Sequence, residues 1–240
     1  MARPSIQSTY FQLSRSPQYS LVFAMPLLMA YEGLAFFLNH SDLYGIRNSA
    51  DVFLKLFLAS VGIHGFFAFG AAMIVALVLF RVLGGGPRFG SIRPAVLVWM
   101  LAESLVYSVV FGALVSAVTR LLLAQPFPLS RSAQILVSLG AGIYEEFVFR
   151  VLLLGALVFL LHRLLHLQQL VAYGVAAGLG AVLFSAFHYI GPFGDPLEFP
   201  SFVFRCVAGL VLTGLYLTRG YGITAYTHSL YDLWITFEVI

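Results

Sequence analysis

Seven stretches of this chain run to about 20 residues with almost no charge: about 19–39, 63–83, 95–119, 133–161, 168–190, 200–218 and 222–240. A helix of about 20 apolar residues is what crosses the ~30 Å hydrocarbon core of a bilayer. The chain therefore reads as all-α, a polytopic transmembrane helix bundle of seven spans. Composition agrees: 60% of residues are hydrophobic, only 10% are charged and the mean hydropathy is +0.94, whereas soluble domains carry about 25% charged residues. Between Asp51 and Val61 a shorter apolar stretch carries Lys55. It either lies in the interface or contributes to an eighth span, and an eighth span would reverse the orientation of everything after it.

Residues 1–18 form a polar, Ser-rich segment with Arg3 and Arg15, and residues 19–240 form one membrane-embedded domain. The N-terminal segment has no apolar core or cleavage site of its own, so the first span is expected to act as the membrane signal. The Gly84 to Pro87 run breaks the chain between the second and third spans, flanked by Arg81, Arg88 and Arg93. Placing that loop inside, by the positive-inside rule, also puts Arg3, Arg15, Arg163 and Arg219 inside. Arg47, Lys55, Arg120 and Arg131 then fall outside, together with the loop from Gly191 to Pro200. The net charge of +3 is spread between spans and not gathered in runs, so it sets topology and gives no sign of nucleic-acid binding. Cys206, the only cysteine, can form no internal disulfide and reads as a small apolar residue. The absence of internal repeats weighs against an inverted-repeat transporter. Gly140 and Gly142 in the fourth span, and Gly174, Gly178 and Gly180 in the fifth, read as close-packing positions.

The chemistry lies in the later spans. Glu145 and Glu146 are adjacent in a segment that is otherwise apolar, where an unpaired carboxylate costs several kcal/mol. Glu146 and Arg150 stand four residues apart with the acid first, the favourable order for an ion pair on one helical face. Glu145 lacks that partner and is the group free to take a proton from water. His188 near the end of the fifth span and His228 in the seventh are polar groups at depth. Phe184 stands one helical turn before His188 and is expected to pack on it. Asp232 stands one turn after His228, where a carboxylate would fix its tautomer. A carboxylate pair, two imidazoles and a further carboxyl meet the needs of hydrolysis: a positioned water, a base and an oxyanion partner. Glu32 and Glu103 also sit at membrane depth; Glu103 is expected to support the substrate cavity or to pair with an arginine such as Arg205.

Three motifs, Glu145-Glu146-Phe147-Val148-Phe149-Arg150, Phe184-Ser185-Ala186-Phe187-His188 and His228-Ser229-Leu230-Tyr231-Asp232, occur in that order on separate spans. Together they resemble the CAAX protease and bacteriocin-processing (Abi, Rce1-like) intramembrane protease family, over about residues 130–240. The resemblance implies an endopeptidase acting on a membrane-proximal peptide or protein tail, through a cavity formed by the last four spans, in the inner membrane of a prokaryote. It implies that Glu145 and His188 activate water, that His228 with residue 232 stabilises the oxyanion, and that Glu146 and Arg150 hold the site together. Many relatives carry Asn where this chain has Asp232. An ionised Asp would repel an oxyanion, so Asp232 is protonated, orients His228 or binds a metal. No cofactor is expected on the first reading. A zinc-dependent alternative would use His188, His228 and either Asp232 or Glu145, since two His and one carboxylate make a catalytic zinc set. An alternative outside hydrolysis is a proton-coupled transporter or immunity-type membrane protein.

Overall fold

A computed structural model describes residues 6–39, 45–83, 92–119, 130–190 and 194–239, with side chains described over 10–39, 45–75, 92–114, 130–190 and 194–239. The described chain is all-helical. Its helices are α1 (Ile6–Ser14), α2 (Pro17–Asn39), α3 (Ser49–Ser60), α4 (Ala68–Leu83), α5 (Pro94–Thr119), α6 (Arg131–Leu164), α7 (Gln169–Phe187), α8 (Phe199–Arg219) and α9 (Tyr221–Thr236). The Gly84 to Pro87 run, Arg88 and Arg120 lie outside the described residues.

Among the described residues, five helices are long and apolar enough to cross a membrane: α2, α5 over Pro94–Leu114, α6, α7 and α8. The expected spans at 63–83 and 222–240 are shorter than the sequence suggests. α4 and α9 have 16 residues each, about 24 Å at 1.5 Å per residue. α4 starts late because Gly62 and Gly65 adopt φ of 87° and 133°, values that side-chain-bearing residues rarely tolerate, and the chain turns there before entering the helix. α3 is a 12-residue helix that turns Asp51 and Lys55 into the bundle and leaves Phe53, Leu56 and Phe57 exposed on its other side. At 12 residues it is too short to cross a bilayer by itself.

The outside of the bundle is apolar and the inside collects the polar groups. On α5, Val98, Trp99, Val106, Val109 and Val110 are exposed, while Ser104 and Ser108 are fully buried. Such a surface would aggregate in water and is stable against lipid, where the backbone must be satisfied by helices. These helices make the chain an integral membrane protein.

α9 is the hub, packing against α2, α5, α6 and α8. Tyr221 Oη donates to the Ile143 carbonyl at 2.9 Å and Ser229 Oγ to that of Leu139 at 3.3 Å. Gly142 permits this approach, because a Cβ there would overlap the Ala225 carbonyl oxygen and Ser229 Oγ. The glycines of α7 behave differently from expectation: Gly174, Gly178 and Gly180 face open space. The close contact with α8 runs instead through Gly209, whose added Cβ would meet Ala181 and Phe184 at 3.1 to 3.4 Å.

Candidate active site

α6 changes character where its carboxylates lie. Arg131–Gly140 is α-helical, but Ala141–Glu145 and Phe147–Leu153 are π-helical. Wide turns of this kind shift side chains relative to a regular helix and recur at functional sites. Here they bring Glu145 and Glu146 to face different partners.

Glu146 is completely buried and has a nitrogen partner at each oxygen. Arg150 Nε lies 3.1 Å from Oε2, and Nδ1 of His228 lies 2.7 Å from Oε1. A carboxylate only accepts, so the His228 hydrogen sits on Nδ1. Nε2 of His228 is 3.7 Å from Asp232 Oδ2, beyond hydrogen-bond range. The expectation that Asp232 fixes the His228 tautomer is therefore corrected: Glu146 does so. The helical spacing of four put Asp232 near the ring, but only the packing of α6 on α9 revealed the closer acid.

Glu145 has partners of its own, none of them Arg150. Asn48, the residue capping α3, donates from Nδ2 to Glu145 Oε1 at 2.8 Å. Nε2 of His188 lies 3.7 Å from Oε2. His188 sits just past the end of α7, and its Nδ1 lies 2.9 Å from the Phe184 carbonyl oxygen. That oxygen also only accepts, so a neutral His188 carries its hydrogen on Nδ1 and turns the Nε2 lone pair toward Glu145. Asn48 was missed in the sequence, where a lone Asn before a short apolar stretch signals only a helix cap.

Phe184 joins these groups. Its ring stands edge-on to His188 at 5.0 Å and lies 6.4 Å from the His228 ring, and the Arg150 guanidinium sits over it at 4.4 Å. Two side chains of the cluster reach the surface, His188 at 24% and Asp232 at 26% exposed. Glu145, Glu146, Arg150, His188, His228 and Asp232 are thus brought together. Glu103 is not among them. It pairs with Arg219, at 2.5 Å to Nε and 2.7 Å to Nη2, and accepts from Tyr10 at 2.5 Å. Arg205, the partner expected for it, pairs with Asp195 instead. Glu32 is held by Lys55 at 3.0 Å.

The acids and imidazoles are engaged pairwise. Among the described residues no group of three or more His, Cys, Asp or Glu side chains is arranged to hold a metal ion. A cavity of about 960 Å³ opens between α2, α3, α4 and α6, with Tyr173 of α7, Tyr216 of α8 and Tyr221 of α9 also at its wall, and its lining is mostly apolar apart from Arg15, Arg150, His162 and Arg163. The last four helices all contribute to it, as expected, but so do α2, α3 and α4, and none of Glu145, His188, His228 or Asp232 lines it.

Fold and site together define a helical integral membrane protein with carboxylates and imidazoles clustered inside its bundle. Residues 128–234 match the family model described as Type II CAAX prenyl endopeptidase Rce1-like. The match takes in all three motifs, and the preceding half of the chain lies outside it. No curated protein and no solved structure matches the chain.

Proposed function

We propose that this protein is an intramembrane endopeptidase in which Glu145 and His188 activate a water and His228 stabilises the oxyanion. The observation that carries this reading is the pair of facing acceptors: Glu145 Oε2 and the lone pair of His188 Nε2, 3.7 Å apart. Two acceptors cannot bond to each other, but a water beside them can donate one hydrogen to each, which concentrates negative charge on its oxygen. That oxygen adds to the peptide carbonyl as one proton passes to the Glu145–His188 pair. The same proton then goes to the leaving amine as the C–N bond breaks.

His228 with both ring hydrogens in place donates Nε2–H to the tetrahedral oxygen, while Glu146 holds Nδ1–H and balances the charge. Arg150 in turn holds Glu146. Every step in this proposal is carried by protein groups. The substrate class is a membrane-proximal peptide; the family description favours a prenylated Cys-aliphatic-aliphatic-X tail over a bacteriocin leader or the sorting tail of an exported protein.

Seven crossings are part of the same reading, with α4 and α9 as the two short ones. Arg93 N donates to Tyr19 Oη at 3.0 Å, Arg15 to the Leu217 carbonyl at 3.3 Å and Arg219 to Ser14 at 2.9 Å, so these arginines gather at one end. By the positive-inside rule that end is cytoplasmic, and His188, at the far end of α7, opens outward.

The deciding experiment incubates purified protein in detergent with three peptides: a prenylated C-terminal tail, the same tail unprenylated, and a leader peptide. Wild type should cut at least one, and Glu145→Gln should keep its melting temperature but show no cleavage. Wild-type turnover by Glu145→Gln overturns the assignment.

A further inference from the structure

Outside the segment that matches the protease family, a side chain of the N-terminal half touches the proposed base. Asn48 Nδ2 donates to Glu145 Oε1 at 2.8 Å, while its own Oδ1 accepts from Ala50 N at 2.9 Å and caps α3. The cap bond consumes the oxygen and fixes the plane of the amide, so the NH2 group is aimed at the carboxylate. Ser, Thr and Asp cap helices as well as Asn. Of these, Asp has no hydrogen to give once ionised, and Ser and Thr have a shorter reach. The combination of cap acceptor and carboxylate donor is particular to Asn.

The surroundings leave Asn48 no freedom. Its backbone N–H donates to Tyr31 Oη at 3.2 Å, and Tyr31 donates to Asp51 at 2.7 Å. Asp51 is paired with Arg47 at 2.5 Å and Lys55 at 2.8 Å, Lys55 also holds Glu32, and Glu32 accepts from Tyr144. Tyr144 is the chain neighbour of Glu145, so the bonds close a ring from Glu145 through Asn48, α2 and α3 back to α6. Tyr31, Tyr144 and Asp51 are fully buried and Asn48 is 3% exposed. A Cβ on Gly140 would stand 2.6 Å from the Asn48 Cβ and from the Tyr31 ring; only glycine lets this unit seat against α6. Two acids and two bases balance inside a buried cluster whose polar contacts lead to the base.

We infer that Asn48 is a positioning residue for catalysis, holding one oxygen of Glu145 so that the other faces His188 and water, with the buried Glu32–Arg47–Asp51–Lys55 cluster as its clamp. This rests on the proposed role of Glu145. It also makes the N-terminal half, beyond the family match, a working part of the site.

The test uses the full chain in detergent and an internally quenched peptide with a prenylated Cys-aliphatic-aliphatic-X tail, or the leader peptide if that is the one cut. Asn48→Ser and Asn48→Thr keep the cap and remove the donor. Each should lower kcat about tenfold or more, with KM and melting temperature close to wild type, as for loss of alignment in the reacting state. Gly140→Ala, which pushes Asn48 away without altering it, should lower kcat in the same way. A purely structural Asn48 would instead lower the melting temperature and leave kcat per folded molecule unchanged, and that result overturns the inference. Cleavage lost in Glu145→Gln but intact in all three variants also overturns it while sparing the proposed function. Cleavage that persists in Glu145→Gln removes both.

Discussion

His228 is bound to Glu146 on α6, 2.7 Å from Nδ1 to Oε1, more closely than to Asp232 on its own helix at 3.7 Å. The acid that shares a helical face with the ring is the weaker partner. Orientation of the imidazole therefore depends on the contact between α6 and α9, and Glu146 serves Arg150 and His228 at once.

Glu146→Ala and Arg150→Ala should each lose both activity and folded protein. Each change strands a buried charge, at a cost of about 3 to 5 kcal/mol. Thermal denaturation in detergent, run beside the cleavage assay, checks this; an unaltered melting temperature in either variant contradicts the buried pair.

Asp232→Asn should be tolerated or should raise kcat. The His228 tautomer is held elsewhere, and an amide can donate to an oxyanion that an ionised carboxylate would repel. A hundredfold loss of kcat without loss of stability would show that Asp232 itself handles a proton.

Chelation addresses zinc directly. Activity should survive exhaustive treatment with EDTA and 1,10-phenanthroline. Stoichiometric zinc in the purified protein, lost in His188→Ala together with activity, would replace the proposed mechanism by a metal-dependent one.

Gly142→Ala should destabilise the bundle by about 1 to 3 kcal/mol, the usual range for overpacking. Its Cβ would meet the Ala225 backbone and Ser229, forcing α9 off α6 and His228 away from Glu146. The prediction fails if the variant melts with wild type and cleaves at the wild-type rate.

Sidedness is read with a single cysteine at Leu197, which is 72% exposed, in a Cys206→Ala background. A membrane-impermeant thiol reagent should label it from outside intact cells. Labelling only after permeabilisation would place the His188 end in the cytoplasm and refute seven crossings.

Much of the architecture was legible because hydrocarbon imposes a simple rule on the chain. Apolar length alone located α2, α5, α6, α7 and α8 to within a few residues. It overestimated α4 and α9, since hydropathy continues through Gly62, Gly65 and the turn after Thr236 while the backbone does not. Helical periodicity likewise fixed the Glu146–Arg150 pair, a contact made within one helix.

Contacts between helices carry no such signature. That Glu146 takes His228, that Glu103 takes Arg219 and not Arg205, and that Asn48 reaches Glu145 across 97 positions of sequence all follow from how helices pack. Glycine at 140 and 142 shows that close approach is possible there, but not which helix approaches. The sequence by itself determined a membrane-embedded helical chain with a particular set of polar groups at depth, because burial of apolar surface and backbone satisfaction are local demands. Which of those groups meet was decided only by the tertiary structure, because pairing buried charges is a property of the whole bundle.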